Sequence, residues 1–203
     1  MRRSWSKLGL VLLAGSGLAP TAAAQRTEKA VFAGGCFWGV DAVFRHVRGV
    51  VGVVSGYAGG QAGTAQYEVV STGSTGHAEP VEVTFDPAQV SYGRLLEVFF
   101  AVAHDPTQLN RQGPDVGTQY RSVVFYATPT QQRAAQDYIA HLARDHAFGA
   151  AIVTQVVALD RFFPAEAYHQ NYLAQHRDQP YIVYNDLPKL DRLKQRFPEL
   201  YRE

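Results

Sequence analysis

Cys36 is the only cysteine in the chain, and it lies in the run Gly34-Gly35-Cys36-Phe37-Trp38. An apolar, strand-like stretch precedes the run and a helical pattern follows it, so we expect the thiol in the first turn of a helix. There the unpaired N–H groups and the helix dipole favour the thiolate, the reactive form of cysteine. A lone cysteine is usually buried and inert, but this glycine–aromatic frame favours a thiol that attacks something small and apolar.

Three further residues in long polar loops carry groups that could assist such a thiolate. Glu79 precedes a strand predicted over 80–86, and a carboxyl beside apolar residues has a raised pKa and can act as a general acid. Tyr67 in the same loop, and Tyr120 at the end of a second loop, could each donate a hydrogen bond to a polarised oxygen. Taken singly, each of the three is more simply a solvated surface residue.

The hydrophobic periodicity predicts strands alternating with helices. We expect strands over 28–34, 50–57, 80–86, 120–127 and 152–159, and helices over 36–47, from Ser91 onward, over 129–146, 165–176 and in the tail 187–200. The order β-α-β, β-α-β is that of a split βαβ unit. The predicted fold is therefore α+β, a ferredoxin-like two-layer sandwich with additional C-terminal helices.

Residues 1–24 are typical of an export signal peptide. Three basic residues begin the chain, an apolar run follows over 8–18, and three alanines precede Gln25 as a small-residue cleavage site. The apolar run is too short and too interrupted to span a bilayer. We therefore expect a periplasmic or secreted protein without stable membrane insertion, in which residues 25–203 form a single domain.

The charge and the sulfur content limit the classes of function. The formal charge is +1 at pH 7, and removing the three basic residues of the signal leaves −2. This charge gives no basic footprint for nucleic acid. One cysteine excludes an intramolecular disulfide, and Met1, the only methionine, would leave with the signal. The amphipathic tail is more simply packed on its own domain than on a second copy, so we expect a monomer.

Three separate motifs resemble the A-type peptide methionine sulfoxide reductases in residue type and in order. They are G-C-F-W-G at 35–39, G-H-A-E at 76–79 and G-T-Q-Y-R-S at 117–122. The runs H-D-P-T at 104–107 and R-Q-G at 111–113 fit the same family. The resemblance extends from about Lys29 to Asp186, which is most of the chain.

The resemblance implies a role for each of four catalytic residues. The Cys36 thiolate would attack the sulfur of methionine sulfoxide, and Glu79 would give its proton to the sulfoxide oxygen. Tyr67 and Tyr120 would hold that oxygen with hydrogen bonds. Methionine would then leave, and Cys36 would remain as a sulfenic acid.

The same resemblance implies three substrate-binding residues. Phe37 and Trp38 would enclose the methyl group of the substrate, and Asp115 would steady the polar end of the site. The family reduces only the S epimer, in line with one enzyme per epimer, and needs neither a metal nor an organic cofactor. The expected function is repair of oxidised exported proteins, with free methionine sulfoxide as a second possible substrate.

The chain departs from the common family pattern mainly in its cysteines. Many members carry resolving cysteines in a C-terminal tail, whereas this tail has none, and Ser71 stands where many members have another cysteine. The sulfenic acid would therefore be reduced by an external thiol, either of a thioredoxin-like protein or of a small thiol.

Three other functions remain open from the residues alone. A one-cysteine peroxide reductase also passes through a sulfenic acid, but it needs Thr or Ser and Arg near the thiol rather than aromatics. A cysteine hydrolase would pair Cys36 with His77 or His104 as the base. The third is a binding module for oxidised methionine. Such a module would still bind its ligand after the Cys36 thiol is removed, whereas an enzyme would lose turnover.

Overall fold

The computed structural model describes residues 26–203, and the export signal predicted over 1–24 lies outside the described residues. Within the described range, strands and helices alternate along the chain. In order they are β1 Glu28–Ala33, α1 Phe37–Arg45, β2 Val50–Ala58, α2 Tyr67–Val70, β3 Pro80–Phe85, α3 Tyr92–Val98, β4 Arg111–Gln112, β5 Asp115–Val116, β6 Val123–Tyr126, α4 Pro129–Arg144, β7 Gln155–Ala158, β8 Phe162–Pro164, α5 Tyr172–Gln175 and α6 Leu187–Arg196. The predicted α+β class is confirmed.

One mixed sheet of six strands organises the molecule, in the order β7-β6-β1-β3-β2-β8. Every neighbouring pair is antiparallel except β6 and β7, which run parallel. The register pairs Ala33 with Pro80 and Glu28 with Phe85. The last residue of β1 is therefore paired with the first residue of β3. The residues just after β1 and just before β3 lie close together as a result.

The alternation of side chains in β1 divides the core between the two faces of the sheet. Ala30 and Phe32 belong to a large cluster that the helices cover, whereas Val31 and Ala33 belong to a small cluster on the other face. The large cluster contains apolar residues from each of the helices α1, α3, α4 and α6. The helices are therefore collected on one face of the sheet.

The side-chain hydroxyls of two residues cap the N-termini of helices. Ser91 precedes α3, and its hydroxyl accepts a hydrogen bond from the Arg94 backbone N–H at 3.2 Å. Thr128 caps α4 in the same way through Gln131 at 3.2 Å. These caps satisfy donors that have no partner inside a helix. In residues 26–203, no helix combines the length and the apolar character needed to cross a membrane.

The helix predicted over 165–176 is wrong. The structure has a 3₁₀ turn at Ala167–His169 and then the short helix α5. Between them the Gln170 side chain bonds to both the N–H and the C=O of Ser55 in β2, at 2.9 and 3.0 Å. Asn171 then adopts a left-handed conformation with φ 51°. A side chain that pairs with a neighbouring strand competes with a continuous helix.

Candidate active site

Cys36 lies where β1 ends and α1 begins, and two glycines make this position possible. A Cβ on Gly34 would lie 2.7 Å from the ring of His104, and one on Gly35 would lie 2.6 Å from Gln112. Gly35 also has φ +89°, which only glycine adopts without strain. The glycines therefore bring the chain of Cys36 against the loop that contains Gln112.

The environment of Cys36 does not favour the thiolate in the way that its sequence position predicts. Cys36 is the N-cap of α1 rather than part of its first turn. Burial raises the pKa of the thiol well above its ordinary value, and the charges of Glu79, Asp186 and Asp115 raise it further, against a lowering hydrogen bond from the Trp38 backbone. Desolvation, with the acidic neighbours of the thiol, therefore outweighs the helix terminus, and the resting thiol is protonated at neutral pH.

Glu79 is a buried carboxyl directly before β3. Ala78 bridges to Ala58 in β2, and the Glu79 N–H donates to the carbonyl of Gln119 at 2.9 Å, so the backbone is fixed on both sides. Glu79 Oε2 accepts a hydrogen bond from the Phe37 N–H at 3.4 Å, whereas Oε1 is buried without a partner among the described residues. Burial raises the pKa of Glu79 to about 8, so the carboxyl holds a proton at neutral pH.

Tyr67 and Tyr120 approach the same place from two loops. Tyr67 is the first residue of α2, and Tyr120 ends a 3₁₀ turn that precedes β6. Both side chains are half-buried, and burial together with the charge of Glu79 raises the pKa of each phenol. Both hydroxyls therefore stay protonated and can donate hydrogen bonds.

Asp115 is held by Tyr181, a residue that was not predicted from the sequence. The hydroxyl of Tyr181 donates to Asp115 Oδ2 at 2.5 Å. Burial raises the pKa of Asp115, and the Tyr181 hydrogen bond lowers it. Tyr181 lies in the tail, before α6, where no motif or periodicity marks it.

The aromatic wall is fixed by a buried histidine. The Trp38 indole N–H donates to His169 Nδ1 at 3.1 Å, and the Trp38 ring stacks on Tyr172 with centroids 3.7 Å apart. The rings of Phe37 and Tyr67 lie 5.0 and 4.4 Å from the His169 ring. His169 is only 1% exposed, so it is part of the packed aromatic wall rather than a surface residue.

Glu166 supports the same group of side chains. Its two carboxylate oxygens accept hydrogen bonds from the Tyr67 N–H and from the hydroxyl of buried Tyr57, each at 2.9 Å. Sequence analysis missed Glu166 and Tyr57. The spacing of three residues between Glu166 and His169 places both on one face of a helical turn. That spacing was the sequence feature from which Glu166 could have been predicted.

All seven predicted site residues line a single cavity of about 200 Å³. Tyr181 is the eighth residue of its lining, and the full set is Cys36, Phe37, Trp38, Tyr67, Glu79, Asp115, Tyr120 and Tyr181. The cavity joins a nucleophile, a protonated carboxyl and two phenol donors beside an aromatic wall. In this arrangement the thiol can attack the sulfur of a small, largely apolar group while the carboxyl protonates an oxygen bound to that sulfur.

The histidines required by a cysteine hydrolase are occupied elsewhere. Both ring nitrogens of His104 are engaged, with the Phe99 carbonyl at 3.0 Å and the Ser122 hydroxyl at 2.7 Å. Burial lowers the pKa of His104 to about 4. His77 Nε2 lies 3.0 Å from the Gln61 carbonyl. Neither ring hydrogen-bonds to Cys36 within the described residues, so the structure forms no cysteine–histidine dyad.

Metal ligands are not collected at this site. Across residues 26–203, no group of three or more His, Cys, Asp and Glu side chains is placed to hold a metal ion.

Comparison with known proteins gives a consistent set of matches. The family model described as peptide methionine sulfoxide reductase matches residues 28–201. Peptide methionine sulfoxide reductase MsrA 2 of Mesorhizobium japonicum is 58% identical over 181 residues, covering 89% of this chain and 93% of that protein. The crystal structure of reduced Mxr1 from Saccharomyces cerevisiae aligns with TM-score 0.70 and 30% identity, over 78% of this chain and 90% of that one. Mxr1 in complex with Trx2 aligns with TM-score 0.50 and 20% identity, over 75% and 88%.

Proposed function

Because the chain belongs to the peptide methionine sulfoxide reductase family and is an oxidoreductase of that kind, we propose that it reduces the S epimer of methionine sulfoxide through Cys36. The observation that carries the proposal is the convergence of Cys36, Glu79, Tyr67 and Tyr120 in one cavity. Both protein-bound and free methionine sulfoxide are substrates in this proposal.

In the proposed first step, oxygen passes from the substrate sulfur to the sulfur of Cys36. Glu79 gives its proton to the sulfoxide oxygen while Cys36 attacks the substrate sulfur, and Tyr67 and Tyr120 donate hydrogen bonds to the oxygen. The thiol proton of Cys36 passes to Glu79 and replaces the proton that Glu79 gave to the substrate. The oxygen then moves from the substrate sulfur to the sulfur of Cys36 as the bond between the two sulfurs breaks, so methionine leaves in the reduced form and Cys36 is oxidised to the sulfenic acid.

The raised pKa values of Cys36 and Glu79 suit this exchange of a proton. At neutral pH both groups are protonated before the substrate binds. The sulfoxide oxygen accepts the proton of Glu79, and the resulting carboxylate can then accept the thiol proton of Cys36. The nucleophile would thus be generated only beside its target, which limits side reactions of the resting thiol.

Phe37, Trp38 and Asp115 bind the substrate in this proposal. Phe37 and Trp38 supply the apolar surface for the methyl group, and their rings are fixed by contact with His169. Asp115 and its partner Tyr181 form the polar boundary of the cavity.

Regeneration in this proposal depends on an external thiol, because Cys36 has no second cysteine to pair with. A thiolate would attack the sulfenic acid to form a mixed disulfide, and a further thiol would release Cys36. Mxr1, a solved relative, has been crystallised with Trx2. A thioredoxin-like protein is therefore the proposed reductant, with a small thiol as the simpler source.

The setting and organisation of the enzyme belong to the same proposal. Residues 25–203 would form one catalytic domain that acts as a monomer, in the periplasm or outside the cell, on oxidised exported proteins. The signal-like composition of residues 1–24 supports this localisation. The domain would have no nucleic acid partner and no stable membrane insertion.

The central strands support a ferredoxin-like description. The order β6-β1-β3-β2 is antiparallel throughout, with α1 between β1 and β2 and α3 between β3 and β6. We infer a split βαβ unit from this order. Strands β7 and β8 and the tail helices would then be additions at its edges.

The test is a single turnover of pre-reduced protein with each epimer and no external thiol. One methionine per protein is expected from the S epimer only, with Cys36 left as a sulfenic acid that dimedone traps. The Cys36→Ser variant is the control, and it should form no methionine. Turnover of the R epimer, or methionine formation by Cys36→Ser, would overturn the proposal.

A further inference from the structure

Cys36 borders two cavities, and the reaction described above uses one of them. The second cavity has a volume of about 260 Å³. Its walls come from the loop between residues 104 and 115 and from the tail between residues 181 and 192. Asp115 and Tyr181 line both cavities, and their hydrogen bond makes them the partition between the two.

The two cavities differ in charge. The substrate cavity contains the carboxyl groups of Glu79 and Asp115 and has no lysine or arginine in its lining. The second cavity contains Lys189 and Arg192 in the wall formed by the tail. The second cavity therefore offers an approaching thiolate two cations that the substrate cavity does not.

Arg192 is the freer of the two cations. Lys189 Nζ lies 3.1 Å from Asp186 Oδ1 and forms an ion pair with it. Arg192 donates to the carbonyl of Val102 at 3.4 Å, and no ion pair with a carboxylate engages it in residues 26–203. Asp105, on the opposite wall, accepts three hydrogen bonds from its own loop. Arg192 is therefore the cation of this wall that has no carboxylate partner in residues 26–203, and Asp105 and Asp115 are the acidic residues of the same lining.

The chemistry of regeneration requires access from a second direction. Displacement at a divalent sulfur is in-line, so a thiolate attacks opposite the group that leaves. In the sulfenic acid the leaving oxygen stays beside Glu79 and the tyrosines, in the substrate cavity. The attacking thiolate must then reach Cys36 from outside that cavity.

We propose that the second cavity is the entrance by which the reductant's thiolate reaches Cys36, an inference that rests on the proposed function. The thiolate passes Arg192 and bonds to the sulfur of Cys36, while the S–O bond breaks. The departing oxygen takes a proton from Glu79 and leaves as water. A second thiolate then attacks the reductant's sulfur in the mixed disulfide, which releases Cys36 and oxidises the two thiols to a disulfide. The thiolate comes from a small thiol or from a protein cysteine.

Two substitutions at the rim test the entrance from opposite walls. Pro114 and Pro188 are exposed, line the second cavity only, and lack an N–H that a substitution would disturb. Pro114→Trp and Pro188→Trp should each slow reduction of the Cys36 sulfenic acid by 2-mercaptoethanol at least tenfold. Methionine formation in a single turnover should stay within twofold of wild type. Asp191→Trp, on the same helix as Pro188 and outside both cavities, is the matched control.

The charge of the entrance has its own test. With Arg192→Gln, reduction of the sulfenic acid by mercaptoacetate should slow several-fold more than reduction by neutral 2-mercaptoethanol, after each rate is corrected for the fraction of thiolate. High salt should remove the difference. Arg133→Gln, an exposed position on α4, is the control.

The outcomes separate this inference from the proposed function. Sulfenic acid made with one equivalent of hydrogen peroxide allows regeneration to be measured even if no epimer is reduced. Unchanged regeneration by small thiols in both tryptophan variants would overturn the entrance, as would slowing confined to a reduced thioredoxin. If the tryptophan variants slow regeneration by small thiols and by a reduced thioredoxin, both kinds of reductant use the entrance. If they slow regeneration by small thiols alone, only small thiols use it.

Discussion

Glu79 carries the part of the chemistry that depends most on its surroundings. One of its oxygens accepts a hydrogen bond from the N–H of Phe37, and the other is buried and has no partner within residues 26–203. A carboxylate in that position would leave a buried charge poorly compensated. The protonated acid is therefore favoured, and its pKa is raised to about 8. The unpartnered oxygen is the natural site of the proton that the substrate oxygen would receive.

We expect Glu79→Gln to slow methionine formation about 10²- to 10⁴-fold below pH 8, the usual contribution of a general acid. Above pH 8 the deficit should shrink about tenfold per pH unit, because wild-type Glu79 loses its proton there and glutamine has none to lose. Single-turnover rates from pH 6 to 9.5 measure the ratio. Glu82→Gln, on the strand β3 that directly follows Glu79, is the control. A ratio that is constant across this range would remove Glu79 as the acid.

At the residue scale the sequence motifs selected residues that the structure brings together, and they predicted the raised pKa of Glu79 but not that of Cys36. Cys36, Glu79, Tyr67 and Tyr120 could be selected from their motifs, and all four line the cavity. The helix terminus suggested a lowered thiol pKa, whereas burial and the carboxylates of Asp186 and others raise it. Burial and charge at a site depend on residues distant in sequence, so a local motif cannot supply them.

The turn over 165–170 is the element that orders the aromatic side of the site. Gln170 attaches the turn to β2 through the N–H and C=O of Ser55. From this anchored turn Glu166 holds the backbone of Tyr67, and His169 holds the indole of Trp38. One short segment therefore sets the positions of Tyr67 and Trp38, the proposed catalytic tyrosine and the proposed substrate-binding aromatic residue.

We expect Glu166→Ala to lower the free energy of unfolding by about 1–3 kcal/mol, because the buried hydroxyl of Tyr57 loses its acceptor. The rate of methionine formation should also fall, because Tyr67 loses the hydrogen bond that fixes the start of α2. Urea unfolding and single-turnover kinetics measure the two effects. Glu166→Gln keeps an acceptor oxygen and should recover part of both. Equal behaviour of the two variants would contradict this role.

At the element scale, regular periodicity was informative and irregular turns were not. The alternation of Val81, Val83 and Phe85 correctly predicted β3. Helical spacing over 165–176 was misleading, because the polar side chain of Gln170 pairs with β2 and Asn171 takes a left-handed conformation. Such a turn depends on contact with a strand more than a hundred residues earlier, which no local pattern contains.

The whole molecule contains very little oxidisable sulfur apart from its reactive thiol. Cys36 is the only cysteine, and the only methionine is Met1, outside residues 26–203. The fold keeps this thiol protonated chiefly by burying it, and the neighbouring Glu79 and Asp186 add to the effect. In the proposed mechanism the nucleophile is ionised mainly when a sulfoxide takes the proton of Glu79, so we expect this repair enzyme to resist the oxidants whose damage it reverses.

This protection predicts the pH dependence of Cys36 oxidation. Only the thiolate reacts readily with peroxide, and the pKa of Cys36 lies well above its ordinary value. In the absence of substrate, the rate of Cys36 oxidation by dilute hydrogen peroxide should therefore rise about tenfold per pH unit from pH 6 to 9. Peptide mapping by mass spectrometry gives the rate, with free cysteine as the reference thiol. A rate that levels off below pH 8 would mean that the resting enzyme holds a thiolate, and that the fold does not protect it.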